Sequence, residues 1–103
     1  MKTSPQNEIL HAKLTLETSR MPWQELLRYF AGGTVIAVAD DLDLIEVAVQ
    51  ISNDDAVSVS RWMAENRLGK VSDLQAQEWL DGAVSLWTVV VKPWILVQER
   101  KPA

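Results

Sequence analysis

The sequence contains no cysteine, which excludes disulfides, thiolate chemistry and cysteine-ligated metal sites, and fits a reducing compartment. It has one histidine, His11, so no paired-imidazole site can form within one chain; on the first expected helix it reads as a surface or half-buried residue. Positive charge is scarce as well. Lys and Arg total 10 against 14 Asp and Glu, a net charge of -4, and the phosphate-neutralising surface that nucleic-acid binding needs is not evident. No stretch approaches the roughly 18 apolar residues of a membrane span, and Met1 to Asn7 lacks the apolar region of a signal peptide. These absences set the expectation of a cytoplasmic protein with neither nucleic acid nor a membrane as partner.

What is present suffices for one core. At 103 residues with 48% apolar side chains, the chain is long enough for one compact domain and too short for two. The expected boundaries are a mobile N-terminus over residues 1–6, a globular domain over 7–100 and a short tail over 101–103.

The stretch around which the rest is organised runs from Asp41 to Arg67. Asp43, Glu46, Gln50 and Asn53 fall at helical spacing and make one narrow polar stripe, while Leu44, Ile45, Val47, Val49 and Ile51 cover the remaining surface. A helix apolar over most of its circumference must be surrounded. The β-branched alternation of Ile45, Val47, Val49 and Ile51 supports a rival strand, but Asp41 as N-cap, with Asp43 and Glu46 near the positive end of the dipole, favours the helix. A second helix is expected after Asp54 or Asp55, with Ala56, Val59, Trp62 and Met63 on one face, Ser58 outward and Asn66 ending it. Together they form an αα-hairpin.

Upstream, a first helix is expected from Asn7 to about Ser19 with Leu10, Leu14 and Thr18 on one side. Pro22 suits the first turn of a second helix, in which Trp23, Leu26, Leu27 and Phe30 recur at helical spacing until Gly32 and Gly33 stop it. Thr34 to Ala39 reads as a buried strand. Downstream, Arg67 to Val71 makes a brief strand, and Ser72 to Gln75 form a capping box opening a helix with Ala76, Trp79 and Leu80 on one face; Gly82 closes it. The run from Leu86 to Glu99 is the strongest strand signal and is expected in the middle of the sheet. As one strand it would extend about 46 Å, so Lys92-Pro93 must mark a bulge, an edge or a tight turn.

The chain resembles a family of small bacterial proteins catalogued as domain of unknown function 2288. The features that carry the resemblance are KLTLET followed by MPWQEL, GGTVIAV, LDLIEVA, NDD before VSRWM, VSDLQAQEW and LWTVVVKPWILVQE, spanning about Ala12 to Glu99. Asn66 departs from the glycine more usual there, and asparagine keeps the helix-ending role. The resemblance implies a bacterial origin and carries no catalytic assignment.

Residues that could carry chemistry are few. Asp40, Asp41 and Asp43, with Glu46 one turn on and Asp54-Asp55 beyond the helix, form an acidic rim whose oxygens could hold a divalent cation; helix capping explains the same positions without a ligand. No serine or threonine sits in a nucleophile motif, and Gly32-Gly33 follows a helix and precedes a strand, the reverse of a phosphate loop. Five tryptophans are unusual in so short a chain. Trp23, Trp62 and Trp79 suit core anchors, while Trp87 and Trp94 flank Pro93 and could line a contact surface.

The expected fold is α/β or α+β, a sheet of three or four strands packed with four or five helices around the central αα-hairpin. The leading functional expectation is a non-catalytic interaction or regulatory module. It would use no cofactor and engage a protein partner or self-associate through Trp87, Lys92 and Trp94, where a long C-terminal strand would leave an unpaired edge. The alternative is a small-molecule or divalent-metal binding protein, an enzyme included, using the rim of Asp40, Asp41 and Asp43.

Overall fold

The computed structural model describes residues 5–99, so the expected C-terminal tail and the first four residues of the expected N-terminal arm lie outside the described residues. Among the described residues, five helices and five strands follow in the order α1 (Pro5–Glu17), β1 (Ser19–Pro22), α2 (Trp23–Ala31), β2 (Val35–Val38), α3 (Leu44–Ser52), α4 (Ala56–Ala64), β3 (Leu68–Lys70), α5 (Asp73–Asp81), β4 (Ser85–Val91) and β5 (Trp94–Gln98). The strands form one sheet of order β1-β4-β5-β2-β3. β2 and β5 run parallel, and every other neighbouring pair is antiparallel. No helix among the described residues is long and apolar enough to cross a membrane.

The α/β class is as expected, but the sheet has five strands instead of three or four, for two reasons. Ser19–Pro22, expected as a helix end and a helix start, pairs with Thr88–Ser85 of β4. The run from Leu86 folds back as a hairpin in which Val91 faces Trp94, so Lys92-Pro93, a cis peptide, is a tight turn and neither a bulge nor an edge. Both arms sit inside the sheet, β4 between β1 and β5, and β5 between β4 and β2. The run does supply the sheet's middle, and the unpaired C-terminal edge expected from its length does not exist. Among the described residues the free edges are β1 and β3.

Because side chains alternate along a strand, the sheet buries two faces. Val38, Leu68, Val89, Val91 and Leu96 meet Leu14 of α1 and the buried side of α3; Val35, Leu86, Ile95 and Val97 meet Trp23 and Leu26 of α2 and Trp79 of α5. Along β5 the assignment switches residue by residue, Ile95 to the second face, Leu96 to the first, Val97 to the second.

The helical reading of 44–52 holds. Leu44, Val47 and Ala48 have no exposed surface and Ile45 and Val49 only 4%, and each large aliphatic side chain so buried contributes roughly 1.5–3 kcal/mol. Glu46 and Gln50 line the outer stripe, where Gln50 Nε2 donates to Glu46 Oε1 at 2.8 Å. The N-cap is Asp43, not Asp41: its Oδ1 accepts from the amides of Ile45 at 2.9 Å and Glu46 at 3.3 Å. Beyond β2, a turn closed by the Leu42 amide on the Ala39 carbonyl takes up Asp40 and Asp41 before the helix can begin.

α4 is capped by Asp55, which accepts from the Ser58 amide at 3.1 Å and from the Ser58 hydroxyl at 2.8 Å. Ser58, expected to face outward, is thereby part of the cap. Asn66 ends the hairpin at φ 60, the left-handed geometry asparagine tolerates. The two helices are unequal: α4 has no buried residue, so α3 alone is central and α4 lies at the periphery. Elsewhere, α1 starts two residues before Asn7 and ends at Glu17. Pro22 precedes α2 with extended geometry (φ -61, ψ 137) instead of occupying its first turn. Ser72 accepts from the Gln75 amide at 3.1 Å, and Leu80, expected on the buried face of α5, is 41% exposed.

Candidate functional site

Two clefts flank the edge strand β3, one on each face of the sheet. The first, of about 420 Å³, lies beside α4. Its walls are apolar, with Ile36 and Leu68 from the sheet, Ile51 from α3, Val59 and Met63 from α4, and Trp94 from β5; Asp54, Asp55 and Lys70 stand at its margin. Ser58, through its amide and then its hydroxyl, holds the Asp55 carboxyl below its ordinary pKa of 3.8.

The second cleft, of about 340 Å³, opens past the carboxyl ends of the parallel pair β2 and β5. In open α/β sheets, ligands bind outside the carboxyl ends of strands. Its floor is a row of register partners that shrink toward the edge: Val97 beside Ala37, and Ala37 beside Gly69. Gln75 and Trp79 of α5 form a wall. Trp79 is fixed twice, by an edge contact with Trp23 at 5.0 Å between ring centroids and by an indole N–H donated to Glu99 Oε1 at 2.6 Å. Asp40, Lys70 and Glu99 complete the rim.

Behind the rim, Gln98 is 2% exposed and its Nε2 donates to the carbonyls of Ala39 at 2.8 Å and Leu42 at 2.7 Å. This locks the end of β5 to the turn before α3. Arg67, the residue before β3, clamps the same turn, bonded to Asp41 at 3.1 Å and to Glu65 at 3.1 Å. Those bonds, the one to Glu65 foremost, raise its pKa above the ordinary guanidinium value.

The acidic rim expected from the sequence does not converge. Asp41 is paired with Arg67, Asp43 and Asp55 cap helices, Glu46 is bonded to Gln50, and Asp54 sits in the hairpin turn at φ 55. Only Asp40 lines a cleft apart from these duties. Among the described residues no three His, Asp or Glu side chains gather closely enough to hold a metal ion.

Trp87, Lys92 and Trp94 are not brought together either. Trp87 faces Gln98 and Trp94 faces Val91, so the two indoles stand four residues apart along the hairpin, about 13 Å. Trp87 is half-buried beneath the Arg20 guanidinium, 5.9 Å from its ring centroid. Lys92 is exposed at the turn, and Trp94 contributes to the apolar cleft. Trp23 and Trp79 are core anchors as expected, and Trp62 is half-buried against the first core face. Sequence reasoning passed over Gly69, although a glycine inside a strand is a known sign of a close approach by another group.

A solved structure has the same architecture. The NMR solution structure of PA1075 from Pseudomonas aeruginosa is 39% identical to this chain, covers 98% of it and 94% of its own length, and superposes with a TM-score of 0.79. No curated protein matches the chain. Residues 9–99 match the family described as Protein of unknown function (DUF2288), and with that match over most of its length the chain belongs to the DUF2288 family.

Proposed function

We propose that the protein is a non-catalytic interaction module that pairs with a second copy of itself across the α4–β3 face. The observation that carries this reading is α4, which has no buried residue while its Met63 is 54% exposed beside an apolar cleft. Helices in proteins are held mainly by packing an apolar face, and a nine-residue helix with so little covered gains from a surface laid against it. β3 offers the sheet edge next to it, only three residues long. The margin of the cleft carries both signs of charge, Asp54 and Asp55 on one side and Lys70 on the other. In an isologous contact each Lys70 can meet the acids of its mate. The setting we infer is the bacterial cytoplasm, on the absence of cysteine and the family resemblance.

Light scattering across a dilution series tests the reading. The mass is expected to double with concentration, and Met63→Glu, which places a charge in the apolar cleft without disturbing a buried residue, is expected to hold the protein monomeric. A monomer at all concentrations, or a dimer indifferent to Met63→Glu, would refute it.

A further inference from the structure

We propose that the free edge of β3 takes an extended peptide segment of a partner protein, in which a lysine or arginine enters the polar cleft and the residues on either side of it are apolar. Gly69 is the point of entry. Its φ lies outside the left-handed region, and a Cβ built on it meets nothing within 4 Å, so neither the backbone nor packing inside the chain requires glycine there. A glycine in a strand interior often marks a place where a ligand or another backbone comes close. Next to the small Ala37, Gly69 leaves the cleft floor bare from the sheet edge inward. The backbone of β3 is also turned to receive a neighbour. The Ala39 amide donates to the Arg67 carbonyl at 2.9 Å, and hydrogen-bonded and non-hydrogen-bonded pairs alternate along an antiparallel ladder. Arg67 and Gly69 therefore face β2, while Leu68 and Lys70 turn their amides and carbonyls to the free edge. A strand pairing antiparallel there sets one residue opposite Gly69 in a non-hydrogen-bonded position, where the Cα atoms are only about 4.5 Å apart and the missing side chain leaves the most room.

The charge of the cleft decides what that residue carries. Lys70 borders the cleft by its place in β3, but it is level with Ile36, so its side chain lies by alternation on the opposite face, with Nζ beside Gly33. Arg67 is matched by two carboxylates, Asp41 and Glu65. The charge left over is negative. Asp40 lines the cleft with a side chain that has no hydrogen-bond or ion-pair partner among the described residues, and Glu99 is held in place by the Trp79 indole. A lysine or arginine opposite Gly69 lays its apolar stem over Gly69 and Ala37 and carries its charge toward these acids. The residues before and after it point to the other face, where the apolar cleft with Val59 and Met63 receives them. A second copy of β3 does not meet this need, because twofold pairing about Gly69 sets Gly69 opposite itself and brings no cation to the polar cleft. Peptide and second copy share the apolar cleft beside α4, so the peptide is expected to displace the self-contact.

The test is a ¹H–¹⁵N NMR titration of the full chain with the capped heptapeptide TTVRVTT. Saturable shifts are expected at the amides of Asp40, Leu68, Gly69 and Lys70. The same peptide with citrulline, the neutral isostere of arginine, should bind at least about tenfold more weakly for want of a charge-assisted bond. TVTRTVT has the same composition but sets its valines on the arginine's face, and it too should bind more weakly. Gly69→Val is expected to keep the melting temperature and to abolish binding by filling the floor. Asp40→Asn, a change at an exposed position, should weaken binding of TTVRVTT about as much as citrulline does, which keeps the idea testable if Gly69→Val folds poorly. No saturable shift with TTVRVTT, equal binding of the citrulline peptide or TVTRTVT, or full affinity in either variant would overturn it. Amides of β3 that move on dilution of the free protein but not with peptide would give the edge to a second copy, and overturn it as well. A protein that stays monomeric in light scattering can still bind the peptide, and a dimer can form without it, so the two readings fail independently.

Discussion

Gln98 offers the sharpest test of how the end of β5 is fastened. Both partners of its side chain are carbonyl oxygens, at 2.8 and 2.7 Å, so only the NH₂ of the amide can serve them and the orientation follows from the chemistry. Gln98→Leu keeps the volume and removes both donors. Each hydrogen bond contributes about 1 kcal/mol net, and carbonyls left without a donor add to the loss. The expected cost is about 2–3 kcal/mol, a large share of the roughly 5–15 kcal/mol that holds a protein of this kind folded. Gln98→Glu goes further, because it aims a buried carboxylate at two carbonyl oxygens. Burial and those oxygens raise the folded-state pKa of the new carboxyl above its unfolded value of about 4.3. A raised carboxyl pKa penalises the folded state as pH rises through the unfolded value, so Gln98→Glu should lie near Gln98→Leu at pH 4 and well below it at pH 7. Urea denaturation of wild type and both variants at each pH measures the differences and cancels the titration of unchanged groups. A Gln98→Leu variant within about 0.5 kcal/mol of wild type, or a Gln98→Glu penalty that does not grow with pH, would refute the reasoning.

Two further outcomes are expected. Val47→Asp should abolish the cooperative far-UV circular dichroism melt, because a side chain with no exposed surface would carry an unpaired charge into the core at a cost of several kcal/mol; a cooperative melt would remove α3 from the centre of the fold. Asp55→Asn should lower the melting temperature by a few degrees at neutral pH. As the Asp55 pKa is depressed below 3.8, its contribution is present above that value and fades as pH falls through the folded pKa, so wild type and variant should converge in acid.

The sequence was most legible where the signal is local. The Trp23, Leu26, Leu27, Phe30 periodicity placed α2 within a residue, and Ser72 as N-cap and Asn66 as helix end behaved as their side chains dictate. β1 was hidden because Ser19–Pro22 has no apolar alternation. It is a strand only because β4 lies beside it, and that neighbour is set by tertiary order. The same limitation produced the mistaken edge at the C-terminus. A long β-branched run reveals that it pairs, not how many partners flank it. The N-cap slipped from Asp43 to Asp41 because several acids in a row are equivalent until the length of the preceding turn is known. The clefts were least legible of all. Their walls gather single residues from separate strands and helices, and of the polar cleft only Asp40 stood out in the sequence as a candidate ligand, with Asn66, Gln75 and Trp79 read as structural.

The position of β5 bears on how the chain reaches this state. β5 sits between β4 and β2, so without it the sheet separates into two strand pairs, β1–β4 and β2–β3, and an isolated pair of strands is marginal in water. The parallel contact joins Val35 to Ile95 across 60 positions of the chain, a loop whose closure costs entropy before any contact offsets it. Folding should therefore be slow for a chain so rich in helix and resistant to partial assembly. During synthesis, productive folding is expected to wait for the hairpin that carries β5, and until it emerges β2 and β4 are exposed edges open to wrong pairing.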